Sequence, residues 1–109
     1  MTLAEIAEMI DGIGLPNAYY QFDEGKVKAP PFICFFYPND DDLMADDINY
    51  VRINALVIEL YTDNKDFELE TRVESALIQN GLPFSKSEDY INSEHMFQIT
   101  YNTEVVING

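Results

Sequence analysis

The stretch that decides the fold is INYVRINALVIELYT, residues 48–62. Its apolar residues alternate with a period of two, which is the period of a β-strand. One face of this strand carries Leu56, Ile58 and Leu60, and the other carries Ile53, Ala55, Val57 and Tyr61. Because both faces are apolar, both need to be covered. We therefore predict a long strand with helices against one face and a further contact on the other.

A second apolar stretch, FICFFY at residues 32–37, precedes this strand. Six apolar residues in a row favour another strand that is covered on both faces, and Pro38 ends it. Further strand patterns lie at residues 17–22, 82–90 and 95–107. The pattern at 82–90 is polar and weak, so the sequence predicts a sheet of four to five strands.

Two helices complete the pattern. The first is predicted at residues 3–11, where Thr2 and Glu5 form a capping box and apolar residues follow at helical spacing. The second begins after the N-cap Asp66 and is closed by Gly81. The predicted fold class is α+β with the order α-β-β-β-α-β-β. Its sheet is twisted and mostly antiparallel, with both helices packed on one face.

Length and charge limit the possible functions. A chain of 109 residues is expected to form a single domain, residues 1–109, with one modest core. Acids outnumber bases 20 to 6, which gives a net charge of −14. This charge argues against a protein that binds nucleic acid through its phosphates, and an anionic membrane would repel it. We find neither a secretory signal nor a membrane-spanning stretch, and the single cysteine suits a reducing cytoplasm.

Few residues of the chain are candidates for a catalytic site. His95 is the only histidine and has no partner at a site-forming spacing, so we interpret it as an exposed strand residue. Cys34 lies in the most apolar strand, where burial makes a thiol inert. Among twenty acids, a pair of neighbouring carboxylates is expected by chance. We therefore predict no enzyme, no catalytic residue and no cofactor.

Residues 39–47 contain five aspartates and no base. So many carboxylates close together suggest a calcium-binding site. An EF-hand calcium loop, however, needs a central glycine and a glutamate at its twelfth position. Counted from Asp40, the twelfth residue is Val51, and no glycine intervenes. We therefore expect no metal site here, and we interpret the segment as a solvated acidic loop.

Several phrases of the chain together resemble a known family. They are GLPNAYYQF at residues 14–22, PPFICFFY at 30–37, the acidic loop with Ala45-Asp46-Asp47, and IELYTDNKD at 58–66, followed by Leu69-Glu70. The pattern resembles the tail-completion, or tail-terminator, proteins of long-tailed bacteriophages and prophages of Gram-positive bacteria. These proteins are encoded between the head and tail-tube genes, and the resemblance covers residues 1–106.

The resemblance implies a structural virion-assembly protein. It implies a ring, commonly hexameric, that caps the tail tube, forms the neck and joins the tail to the head. The expected partners are further copies of the chain, the tail-tube protein and the head–tail connector protein, whereas DNA only passes through the ring. The protein is expected in the host bacterial cytoplasm during assembly and then in the virion.

The acidic loop is the candidate contact in this interpretation. At about nine residues it is long for a hairpin connection, so we expect it to project and to order against a partner or to line the lumen. Its candidate residues are Asp40, Asp41, Asp42, Leu43, Met44, Asp46 and Asp47. Leu43 and Met44 are the expected apolar anchors.

A second hypothesis belongs to another class of protein. An acidic phage protein of this size can act as a DNA mimic that inhibits a host nucleic-acid-binding protein. Such a mimic would spread its carboxylates over one face at phosphate-like spacing, and it would be a monomer or a dimer. Here the acids concentrate in one loop and at the helix ends, which favours the assembly protein.

Overall fold

The computed structural model describes residues 1–23, 28–38 and 52–108. Within these ranges the chain forms two helices and one five-stranded sheet. The helices are α1 (Leu3–Asp11) and α2 (Phe67–Gln79), and the strands are β1 (Asn17–Tyr19), β2 (Phe32–Phe36), β3 (Arg52–Thr62), β4 (Phe84–Ile91) and β5 (Met96–Ile107). The element order and the α+β class match the prediction from the sequence.

The strands lie in the order β1-β2-β3-β5-β4. The β2–β3, β3–β5 and β4–β5 pairs are antiparallel, whereas β1 runs parallel to β2. The predicted first strand was too long, because β1 ends at Tyr19 and not at Phe22. The reason is the left-handed backbone of Tyr20, with φ 68°, which turns the chain out of the ladder.

Both helices begin at the residues predicted to cap them. In α1, the Thr2 hydroxyl accepts a hydrogen bond from the Glu5 amide at 3.1 Å, and the Glu5 carboxylate accepts one from the Thr2 amide at 2.7 Å. In α2, the Asp66 carboxylate accepts a hydrogen bond from the Leu69 amide at 3.0 Å. Each cap satisfies amide groups that have no partner inside the helix.

The core lies between the two helices and one face of the sheet. Fully buried side chains from both layers form one cluster: Ile6 and Ile10 of α1, Val73 and Leu77 of α2, Ile33 of β2, Leu56, Ile58 and Leu60 of β3, and Ile99 and Tyr101 of β5. The register places Ile58 opposite Tyr101 and Leu60 opposite Ile99. Leu56, Ile58 and Leu60 of β3 therefore point toward the helices, as the alternation of the sequence predicted. No helix in the described ranges is long and apolar enough to span a membrane.

Candidate interaction surface

The side of the sheet opposite the helices carries an apolar surface. We call it the helix-free face, because among the described residues no helix packs on it. It comprises Phe32, Cys34 and Phe36 of β2, Ile53, Ala55, Val57, Glu59 and Tyr61 of β3, and Gln98, Thr100, Asn102, Glu104 and Val106 of β5, so that its apolar part lies on β2 and β3. This is the second apolar face that the sequence predicted for β2 and β3.

Aromatic rings pack across the β2 side of this face. The rings of Phe32 and Tyr61 stack with their centroids 4.8 Å apart. Phe22 packs edge-on against Phe32 at 5.4 Å, and Tyr20 lies 5.2 Å from Phe36. The residues that follow β1 therefore cover part of the face. Such ring pairs stabilise a surface beyond the area they bury.

The far end of the face exposes two apolar side chains side by side. Ile53 and Val106 are opposite each other in the β3–β5 register, and they are 55% and 46% exposed. Single exposed apolar residues are common, but adjacent ones on a strand face form a patch. This patch is where the helix-free face is most accessible to another protein.

Glu59 places a carboxylate in the middle of the apolar face. One of its oxygens accepts a hydrogen bond from the Tyr61 hydroxyl at 2.9 Å, and the other accepts one from the Gln98 side-chain amide at 2.9 Å. Burial, followed by the bond to Glu59, raises the pKa of the Tyr61 phenol well above its ordinary value. Both donors are neutral, and no described cation forms an ion pair with Glu59. The carboxylate is therefore oriented but not neutralised.

The outer side of α2 forms a second candidate surface. Its outward line is Phe67, Thr71, Ser75 and Ile78, which follow one another along the helix, and Glu68 and Gln79 are exposed beside them. Phe67 and Ile78 are 71% and 66% exposed, although the solvent side of a surface helix is normally charged. This helix therefore presents apolar groups both to the core and away from it.

Arg72 borders the outward line on the side of α1. Its guanidinium donates a hydrogen bond to the Ile13 carbonyl, which ties α2 to the end of α1. Its side chain is otherwise exposed, and within residues 1–23, 28–38 and 52–108 no carboxylate pairs with it. A guanidinium with one neutral partner keeps donors for a carboxylate of another molecule.

A buried ion network lies on the opposite flank of α2. The Glu70 side chain is only 3% exposed, and its two oxygens lie 2.7 Å from the ammonium groups of Lys65 and Lys86. Lys86 also pairs with Glu74 at 2.7 Å, and the Tyr101 hydroxyl donates to Glu74 at 2.8 Å. Burial raises the pKa of Glu70, but the two lysines lower it by more, so it lies below its ordinary value. The network joins α2 to β4 and β5.

The structure describes some of the residues that the sequence analysis singled out and not others. The acidic-loop residues Asp40, Asp41, Asp42, Leu43, Met44, Asp46 and Asp47 all lie outside the described residues. Cys34 is buried, as predicted. His95 is exposed, as predicted, but it lies in the turn before β5 and not in the strand, because its backbone is left-handed with φ 53°.

The burial of Cys34 predicts an unreactive thiol. Burial, with a smaller contribution from Glu59, raises the pKa of Cys34 to about 11. At pH 8 we therefore expect less than about 1% thiolate and negligible reaction with a disulfide reagent such as DTNB in the native protein. In urea, one thiol per chain should react at once. Fast reaction of the native protein at pH 8 would show that the helix-free face opens at Cys34.

Within the described part of the chain, no three His, Cys, Asp or Glu side chains come together as a metal site requires. The chain matches no protein-family model and no curated protein sequence.

Proposed function

We propose that this chain is a structural virion-assembly protein, a tail-completion component that forms a ring, caps the phage tail tube and joins it to the head. The observation that carries the proposal is the helix-free face, where Ile53 and Val106 are exposed side by side at one end. A subunit in a closed ring touches a neighbour on each of two sides. Helices cover one side of this sheet, and on the other side the exposed Ile53–Val106 end of the helix-free face offers apolar surface to a neighbour.

The charge of the chain supports the same role. DNA that moves through a tail must not be held, and a lumen rich in Lys and Arg would hold its phosphates. A ring of subunits that each carry a net charge of −14 repels the duplex instead. The proposed partners are therefore other copies of the chain, the tail-tube protein and the head–tail connector protein. Assembly would take place in the host bacterial cytoplasm, and the ring would remain in the neck of the virion.

The test is deletion of the gene from the phage or prophage genome that carries it. We expect induced cells to accumulate filled heads and separate tails, seen by electron microscopy, with infectious particles reduced by at least a hundredfold. The wild-type gene supplied in trans should restore joining, and so should His95→Ala, since His95 is an exposed turn residue. Normal yields of joined particles after deletion would contradict the proposal. A location among early regulatory genes would favour the DNA mimic.

A further inference from the structure

We propose that two copies of this chain pair along the outer edge of β4. The two β4 strands run antiparallel about a two-fold axis at Ser87, so that the two sheets join into one. The inference goes beyond the proposed function and does not rest on it, because β4 carries neither Ile53 nor Val106. A two-fold contact closes at two copies, so the expected product is a dimer of the free protein.

The outer edge of β4 is open in the described part of the chain. β4 is the last strand of the order β1-β2-β3-β5-β4, and residues 85–90 are all exposed. In an antiparallel ladder, successive residues direct their backbone N–H and C=O groups to opposite sides. Ile33 donates its N–H to the Pro16 carbonyl beside β1, and the unbroken registers carry this alternation across the sheet to β4. The residues of β4 that direct both groups outward are Phe84, Lys86, Glu88 and Tyr90.

These outward groups form no backbone hydrogen bond to another described residue. An open edge of this kind accepts a further strand. The other end of the sheet offers much less, because β1 has three residues and only Asn17 and Tyr19 face outward there. The Tyr19 carbonyl already accepts a hydrogen bond from the Gln21 amide at 2.8 Å. Pairing of β4 with a second β4 therefore forms a longer ladder than pairing of β4 with β1.

The sequence of β4 is complementary to itself about Ser87. The antiparallel register centred there places Lys86 opposite Glu88 of the second copy, and Phe84 opposite Tyr90 of the second copy. Opposite charges and aromatic pairs directly across two strands stabilise the pairing. A register centred one residue earlier places Lys86 against Lys86, and one centred a residue later places Glu88 against Glu88. Like charges at such positions are destabilising, so charge selects the register at Ser87.

Lys86 and Glu88 both keep groups free for this contact. Glu88 uses one carboxylate oxygen for Lys65, which leaves the other. Lys86 pairs with one oxygen each of Glu70 and Glu74, and an ammonium group has a third proton to donate. The side chains of Lys86 and Glu88 are 36% and 43% exposed. The pairs within one subunit and the pairs between two copies can therefore form together.

Ser87→Cys tests the position of the axis. In the proposed register the two introduced thiols face each other in a non-hydrogen-bonded pair, with Cα atoms about 4.5 Å apart, which a disulfide can span. With oxidised glutathione we expect most of the chain to run as a covalent dimer in non-reducing electrophoresis. Ser85→Cys is the matched control, since Ser85 is also exposed and on the same face of β4. Its counterpart lies about 13 Å away along the strand, so it should remain a monomer. The native Cys34 is buried and should not interfere.

Glu88→Pro tests the backbone pairing. Proline removes an N–H that points outward and leaves the ladder between β4 and β5 intact. We expect a dimer at least about tenfold weaker in Kd by sedimentation velocity. Glu88→Ala loses the same side-chain contacts but keeps the N–H, so it should weaken the dimer less. Circular dichroism and the melting temperature establish that both variants fold.

The measurements belong at about 0.15 M salt, which screens the repulsion between two copies that each carry a charge of −14. Three results would overturn the inference. They are a wild-type chain that stays monomeric at about 1 mM, equal cross-linking of the two cysteine variants, and a Glu88→Pro dimer as stable as that of Glu88→Ala. The proposed function fails separately, through a gene deletion that leaves heads and tails joined.

Discussion

Replacement of both Lys65 and Lys86 by methionine is expected to lower the free energy of unfolding by about 3 kcal/mol at pH 7. If only one of the two lysines is replaced, the Glu70 carboxylate keeps the other as a partner at 2.7 Å. The double variant leaves this carboxylate, which is 97% buried, with no described cation beside it. A buried charge without a partner is among the most destabilising features that a fold can contain. The measurement is urea denaturation followed by circular dichroism.

The contribution of Glu70 to the pH dependence of stability should have opposite signs in the double variant and in the wild type. In the wild type the pKa of Glu70 lies below its unfolded value, so its contribution to stability is full above that value and is lost as pH falls through the folded pKa. Without the lysines only burial acts, so the folded pKa of Glu70 lies above its unfolded value. The destabilisation is then complete at high pH and disappears as pH falls through the folded pKa.

Urea denaturation at pH 7 and pH 5 tests this reversal. The difference in stability between the wild type and the double variant should be smaller at pH 5. Lys28→Met is the matched control, because Lys28 is exposed and has no described carboxylate partner, and it should change stability by less than about 0.5 kcal/mol. An equal loss at both pH values, or a loss as small as that of Lys28→Met, would mean that water reaches Glu70.

The sequence predicted the architecture well because its signals are local. The period of two in residues 48–62 identified β3 and the face that its leucines bury, and the caps at Thr2 and Asp66 located both helix starts. The first four residues of that predicted strand lie outside the described residues. The parallel pairing of β1 with β2 was not foreseen, since no short-range pattern specifies which strand lies beside a three-residue edge strand.

The sequence identified less of the candidate site, since the site depends on contacts between distant residues. Glu70 lies with Glu68 in the first turn of α2, where a helix N-terminus favours negative charge, so this position gives no reason to expect its burial. The structure buries it instead, and its partners come from the turn before α2 and from β4. A signal was present, because Glu70 lies three and seven positions before Val73 and Leu77, on the stripe that faces the core. A carboxylate on that stripe predicts a cation beside it, but not which one.

Ile58→Ala is expected to lower the free energy of unfolding by about 3–4 kcal/mol, because it leaves a cavity at the centre of the core. Ile58 has no exposed surface and lies opposite Tyr101 in the register. For a domain of this size such a loss lowers the melting temperature by about 15 °C and is a large share of a total stability of about 5–15 kcal/mol. Scanning calorimetry measures both quantities.

The matched variant is Ile53→Ala, which makes the same substitution on the same strand but on the helix-free face. Ile53 is 55% exposed, so the melting temperature should change by no more than about 3 °C. Self-association should weaken instead, since the substitution removes apolar surface from the proposed ring contact. If Ile53→Ala lowered the melting temperature as much as Ile58→Ala, the Ile53 end of the helix-free face would already be covered in the monomer.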